Sequence, residues 1–293
     1  MCLYTKYIKN KRYQPTKKNN GNPEICTDKR KYYVPIGCGE CIECRRQKRN
    51  EWLLRIEEER KNNPNKCIYT TFTFSDEALK ELSEAAGTKE VNKIATLAVR
   101  RFCERWRKKY KKSIKHFFIT ELGEKEGRIH LHGFLFTNEK FKTINEIWKY
   151  GITKLSVLKY KYAILYVVKY ISKEDKIHPG YKPVILSSPG LGKIQFTEFS
   201  KFNEEKTKEY VIYNRHKYGL PIYWRNLIYT EEERQKLWEY RLNENKRYIL
   251  GAECKADDLK RFTKLNERAR QFNKELKFGD DKTKRDTLYY VDI

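Results

Sequence analysis

Apolar positions along this chain change their period several times, and each change marks an element. The run CIYTTFTF (67–74) is β-branched and aromatic and carries no charge, which predicts a strand. Ser75 or Asp76 then caps a helix over 77–86 that Gly87 closes. From Val91 the residues Ile94, Ala95, Ala98, Phe102 and Trp106 recur at three- and four-residue steps, the stripe of a longer amphipathic helix. HFFITEL (116–122) and RIHLHGFLF (128–136) read as strands, and the GEKEG turn between them predicts an antiparallel hairpin. A helix near 140–150, a short strand at 152–157 and a helix from about 160 to 173 complete this central part.

The flanks are patterned less clearly. Residues 1–66 read as a loop-rich basic segment ending in a charged helix over 42–61, stopped by Asn62-Asn63-Pro64-Asn65. Beyond Lys176, SSPGLGK reads as a turn, 204–217 as a helix, GLPIYW as a short strand, and 231–243 and 257–277 as helices. No internal repeat is visible. The element order predicts an α+β fold, with a central antiparallel sheet and helices packed on one side of it. Three segments follow: a cysteine-containing extension at 1–66, the α+β core at 67–175, and a largely helical and loop C-terminal region at 176–293.

Composition narrows the partners. Across 293 residues, 64 Lys and Arg stand against 39 Asp and Glu, a formal net charge of +25. Aromatics make up 14%, including 22 Tyr, so this is not the composition of a disordered basic tail. Cations that meet phosphates and rings that stack on unpaired bases suit a nucleic-acid partner. The plainer alternative is a solvated charged surface from an AT-rich genome. Eight cysteines without a secretory signal pattern argue for a reducing compartment, and the longest apolar run, YAILYVV, is too short to span a bilayer. The expectation is a cytoplasmic protein with no membrane partner.

Candidate chemistry concentrates in the core. His130 and His132 alternate on one strand and so project from one face. The hairpin lays the strand ending in Glu121 beside them, and two imidazoles with one carboxylate suit Mg²⁺ or Mn²⁺ acting as a Lewis acid. Glu124 is a competing ligand, expected in the turn and pointing outward. Two histidines hydrogen-bonded within a strand are the structural alternative. Tyr166 and Tyr170, at i and i+4, share one helix face. Phenols attack a phosphate only when activated, by a metal that polarises it or by a nearby cation such as Lys169. An aromatic face packed on the sheet explains the same spacing.

At these residues the sequence resembles the HUH endonucleases, specifically the replication initiators of gokushovirus-type microviruses. The histidine motif matches as ELGEKEGRIHLHGFLF and the tyrosine motif as YVVKYISK; MCLY, VPIGCGECIECRRQKRNEW, YTTFTFSD, SSPGLGK and GLPIYW are similar to further segments, covering about residues 1–225. The resemblance implies that His130, His132 and Glu121 hold the metal, that Tyr166 and Tyr170 are the nucleophiles, and that Lys169 and Lys173 match the lysines of the tyrosine helix. It implies a nickase and ligase that opens rolling-circle replication of viral origin DNA through a 5′-phosphotyrosine link. The implied partners are single-stranded and origin duplex DNA with a host helicase and polymerase, in the host bacterial cytoplasm. A plasmid initiator or mobilisation relaxase is the alternative within that class, and a noncatalytic zinc-containing DNA-binding protein the alternative outside it.

Cys38, Cys41 and Cys44 form C-x2-C-x2-C, with Gly37 and Gly39 allowing tight turns. A closed zinc site needs a fourth ligand. Cys2, in the MCLY segment of the resemblance, is the first choice and Cys26 the second; free thiols or an Fe–S site are the alternatives. Arg45, Arg46, Lys48 and Arg49 follow at once and make a basic helix that could grip duplex DNA. Arg105, Lys108 and Lys109, in the cationic exit of the long helix (100–112), and Lys173 of the tyrosine helix are candidate DNA contacts as well. For both groups ordinary solvation is the alternative. SSPGLGK ends like a phosphate loop, but Ser187 stands where the first Gly of GxxxxGK belongs, so nucleotide binding and a separate helicase activity are not expected.

Overall fold

The computed structural model describes residues 2–124, 127–158, 162–173, 177–178, 180–194, 209–244 and 246–278. In chain order these form β1 (Lys6–Lys9), β2 (Tyr33–Ile36), α1 (Ile42–Asn62), β3 (Cys67–Phe72), α2 (Asp76–Ala86), α3 (Val91–Tyr110), β4 (Lys115–Leu122), β5 (Ile129–Phe136), α4 (Phe141–Trp148), β6 (Thr153–Val157) and α5 (Tyr162–Ser172). Then come β7 (Ile185–Ser187), β8 (Tyr210–Tyr213), β9 (His216–Gly219), α6 (Ile222–Ile228), α7 (Glu231–Asn243), β10 (Arg247–Ile249), β11 (Ala252–Cys254) and α8 (Leu259–Glu275). The chain divides into two compact units, one from Met1–Lys48, Phe199–Val211 and Arg225–Ile293, the other from Arg49–Glu198 and Ile212–Trp224. Among the described residues no helix is long and apolar enough to cross a membrane.

The second unit holds a five-stranded antiparallel sheet in the order β6-β3-β5-β4-β7. Strand alternation splits its side chains between two cores. Ile68, Phe72, Phe118, Leu131 and Leu135 pack with Ala78 and Leu82 of α2, with the α3 stripe from Ile94 to Trp106, and with Ile144, Ile147 and Trp148 of α4. Phe117, Ile119, Phe134 and Phe136 face the other way, onto Leu53 and Ile56 of α1 and Ile164, Val167, Val168 and Ile171 of α5. Helices therefore cover both faces, not one as the element order suggested. The sequence pattern shows that β4 and β5 are apolar on both sides, but α1 and α5 reach the second face only through the tertiary fold.

Local signals behave as their chemistry dictates. Ser75 accepts from the Ala78 amide to start α2, and Gly87 ends it in the left-handed region at φ +62°. Gly133, in the middle of β5, is required by close approach: a Cβ there would lie 1.9 Å from the Phe117 carbonyl oxygen. Gly133→Ala is expected to cost about 3 kcal/mol, since a backbone oxygen in a central strand cannot step aside; a denaturant midpoint unchanged from the parent would contradict this.

Two sequence expectations fail in the C-terminal part. Residues 210–219 form the β8–β9 hairpin instead of continuing the helix expected over 204–217, of which 204–208 lie outside the described residues. The turn is made by Asn214 and Arg215, both with positive φ. GLPIYW is not a strand. After Pro221 the chain enters α6, because the fixed φ of proline suits the residue leading into a first helical turn. The helices expected at 231–243 and 257–277 are present as α7 and α8.

Candidate functional site

The β4–β5 register places Glu121 opposite His130 and Ile119 opposite His132, and β3 brings Thr71 to the other side of His132. Glu121, His130 and His132 thus stand on the sheet face that α5 covers. The His132 Nε2 and Glu121 Oε2 atoms are 2.8 Å apart, and the Lys173 ammonium donates to the other Glu121 oxygen at 3.3 Å. Burial works to raise the Glu121 carboxyl, but His132 and Lys173 outweigh it and hold it below its ordinary value. His130 lies beside this pair, its ring centroid 6.5 Å from that of His132. Burial first, and the neighbouring His132 second, keep the His130 imidazole below its usual value and so toward the neutral, metal-binding form. Gly123 lies against the His130 ring, where a Cβ would come within 2.9 Å of Cε1. Glu124 is exposed in the turn, as expected of it.

Helix α5 supplies the tyrosines. Its apolar stripe seats it on the sheet, and the next positions around present Tyr170, 7% exposed, and Tyr166, 44% exposed. Tyr170 stacks on His132 at 4.9 Å and 11°, and its hydroxyl donates to the Tyr166 hydroxyl at 2.7 Å. Burial, with the bond to Tyr166, lifts the Tyr170 phenol well above its ordinary range. The Lys169 ammonium sits 4.8 Å from the Tyr166 ring centre, and Lys173 sits 5.5 Å from that of Tyr170.

Two further residues belong to the site and were not singled out from sequence. His132 Nδ1 lies 3.2 Å from the Thr71 hydroxyl and 3.4 Å from the Tyr69 hydroxyl, so its outer nitrogen is held while Nε2 faces Glu121. Alternation in YTTF puts Tyr69 and Thr71 on one face, but only the β3–β5 pairing says which histidine they meet.

Among the described residues, one set of at least three Cys, His, Asp or Glu donors has all its ligand atoms within 4.8 Å of one another: Cys2, Cys38, Cys41 and Cys44. A tetrahedral sulfur site with metal–sulfur bonds of about 2.3 Å has sulfur–sulfur edges of about 3.8 Å. The Cys41–Cys2 and Cys38–Cys44 separations are 3.9 and 4.0 Å. Amides of Tyr4 and Cys38 donate to Cys2, and that of Cys41 to Cys38, which stabilises thiolate character. Hydrogen bonds shared with Cys2, Cys41 and Cys44 lower the Cys38 thiol, while the same network raises Cys41 and Cys44. Cys26 is elsewhere, bonded to the Asp28 carbonyl.

The candidate DNA contacts divide. Arg46, Lys48, Lys108 and Lys109 are exposed. Arg45 donates to the Glu40 carbonyl and covers Phe278, and Arg49 bonds Asn50. Arg105 is committed inside the fold: it donates to the carbonyls of Ile147 and Trp148 and to the Tyr150 hydroxyl, which staples α3 to the end of α4. Its position in a cationic run signalled surface, but its side chain belongs to the core-facing side.

SSPGLGK is a structural clamp. The Gly192 amide donates to Glu59, its carbonyl accepts from the Trp224 indole, and the Leu191 carbonyl accepts from Arg55, which lies between Trp52 and Tyr223. A Cβ on Gly192 would meet the Arg55 carbonyl oxygen at 2.1 Å. The amide that a phosphate would need is already taken.

A histidine–carboxylate cluster thus stands on an antiparallel sheet, covered by a helix that presents paired tyrosines. Residues 67–175, which carry all of it, match the family of the replication-associated protein ORF2. That similarity supports a replication-associated protein of the rolling-circle Rep type. No curated protein and no solved structure matches the chain.

Proposed function

We propose that this protein is a rolling-circle DNA replication initiator of the gokushovirus-type microviruses, which nicks and rejoins single-stranded origin DNA through a 5′-phosphotyrosine intermediate. One observation carries the reading: the Tyr170 ring lies on His132, with its hydroxyl bonded to Tyr166, inside the segment that matches a replication-associated family. By donor chemistry His130, His132 and Glu121 suit a hard divalent ion, with a carboxylate held ionised, a neutral-leaning imidazole and a second imidazole fixed through its far nitrogen, although Glu121 bonds His132 directly and the three ligand atoms are not gathered within 4.8 Å as those of the cysteines are. His130, His132 and Glu121 would hold Mg²⁺ or Mn²⁺, which would supply Lewis acidity toward a scissile phosphate.

The chain's own residues do the rest. Tyr166 is the hydroxyl that DNA can reach, and the bond donated by Tyr170 together with the Lys169 cation stabilises charge developing on its oxygen. Its oxygen bonds to phosphorus, the bond from phosphorus to the 3′-oxygen breaks, the phenolic proton is released, and the departing 3′-oxygen takes up a proton. Lys173 keeps Glu121 ionised and oriented. Attack by a 3′-hydroxyl on the phosphotyrosine reverses the sequence and reseals the strand, so joining needs no nucleotide cofactor. The exposed cations Arg46, Lys48, Lys108 and Lys109 are proposed DNA contacts, with a host helicase and polymerase as further partners in the bacterial cytoplasm. Zn²⁺ is the proposed occupant of the cysteine cluster.

Incubation with labelled single-stranded origin DNA and Mn²⁺ should yield an adduct that survives SDS and is absent without divalent metal. His132→Ala is expected to slow its formation by roughly 10²- to 10³-fold. A noncatalytic DNA-binding protein would form no adduct at all, and that result would replace this reading.

A further inference from the structure

Tyr166 has a second neighbourhood besides the histidines. With Tyr69 it lines an apolar groove of about 720 Å³, walled by β6 and by residues of α4 and α5. Phe141, Val157, Leu158 and Ala163 continue the lining, and Phe141 and Val157 are 38% and 40% exposed. Position, rather than size, sets this groove apart. It begins at the proposed nucleophile and is edged by cations: Lys169 lies over the Tyr166 ring, and Lys154 projects from β6 in the cross-strand row of Thr71 and His132.

From this juxtaposition we propose that the groove is a base-binding subsite, which seats an unstacked nucleobase of the strand whose phosphate lies at Tyr166. The inference rests on the nicking reading for its register and adds to it where the neighbouring base goes. Aromatic rings with apolar walls offer a nucleobase what water cannot, a dry stacking surface, while flanking lysines meet the sugar-phosphate chain. The lining carries hydroxyls on Tyr69, Ser156 and Tyr166 and neither a carboxylate nor an amide side chain, so it grips chiefly by stacking. Phe141 is the anchor: it opens α4, is partly exposed, and lies outside both sheet cores.

The test reads binding without cleavage, so it stands apart from adduct formation. The probes are a single-stranded thymidine oligomer of about twelve nucleotides and an abasic oligomer of equal length, used at moderate salt with no added divalent metal. The full chain should bind the thymidine oligomer more tightly, and Phe141→Ala should weaken that binding roughly 5- to 100-fold while leaving the abasic oligomer unaffected. Val157→Asp should weaken both, since it adds a negative charge to the wall. Equal binding of the thymidine oligomer by the parent and Phe141→Ala overturns the proposal. So does a Phe141→Ala deficit of the same size on both oligomers. Should Phe141→Ala fail to fold, ultraviolet cross-linking of the parent to a 5-iodouracil-substituted oligomer decides: attachment to Phe141, Tyr69 or Tyr166 supports the subsite, and attachment elsewhere rejects it. Displacement of the oligomer's weak binding by an extended peptide added to the β6 edge, with no base preference, would assign the groove to a protein strand instead. If the adduct never forms but the base preference holds, the nicking reading fails and the subsite stands.

Discussion

With both Tyr166 and Tyr170 replaced by Phe, the covalent protein–DNA adduct is expected to fall to background, a loss of at least about 10³-fold. Phe keeps each ring, so the stacking of residue 170 on His132 and the seating of α5 survive, and only the oxygens proposed to bond phosphorus are removed. The single variants should differ. Tyr166 is exposed and accepts the 2.7 Å bond, whereas Tyr170 is buried and donates it. Tyr166→Phe should therefore abolish the first adduct, and Tyr170→Phe should slow it by about tenfold, the worth of one hydrogen bond to a charged oxygen. Peptide mapping of the adduct reads out which tyrosine carries the DNA. An undiminished adduct in the double variant would sink the nucleophile assignment, and an adduct borne first by Tyr170 would reverse the order.

Loss of the zinc proposed for the cysteine cluster is expected to unfold the first unit. Among the described residues the core cluster around the cysteines is small: Leu3, Cys41, Ile42, Ile249 and Ala269 are its buried members, partly buried Phe262 and Leu265 pack against it, and the sulfurs themselves are part of it. It gathers sequence from distant places, since the Asn273 side chain accepts from the Ile42 amide and Arg270 donates to the Leu3 carbonyl. So few apolar contacts do not offset the entropy of ordering such separated segments. Structural zinc contributes about 10–16 kcal/mol in small sites, far more than this core can lose and stay folded. Cys44→Ala should abolish stoichiometric zinc and strip hydrogen-exchange protection from α8 and from the start of α1. Cys26→Ala should do neither. Retained protection in metal-free Cys44→Ala protein would show that the cluster is dispensable for the fold.

Much of the candidate site is legible along the chain. The short GEKEG turn leaves little freedom in how 116–122 meets 128–136, so the opposition of Glu121 and His130 followed from the hairpin alone. The tyrosine pair was visible, but its meaning was not, because i,i+4 tyrosines are common among 22. What separated the two was burial, which depends on the sheet beneath α5. Tyr69 and Thr71 went unnoticed because a strand's alternation names two faces without saying which one carries the histidines.

The cysteines and arginines make the same point. C-x2-C-x2-C announced three ligands locally, while the choice of Cys2 over Cys26 needed two segments more than thirty residues apart to meet, which no local spacing encodes. Arg105 read as one more cation in a basic run, and the fold turned it inward onto the carbonyls ending α4.

By itself, the sequence determined the elements whose signals are local: the strands and helices of the core, the Ser75 and Gly87 caps, the hairpin that sets Glu121 against His130, and the three clustered cysteines. The tertiary structure alone decided that helices cover both sheet faces, that 210–219 is a hairpin, that Cys2 completes the cluster, and that Tyr166 opens to solvent while Tyr170 is stacked away. The reason is physical: periodicity and caps are set within a few residues by backbone geometry, whereas coverage and burial depend on which distant surface arrives to exclude water.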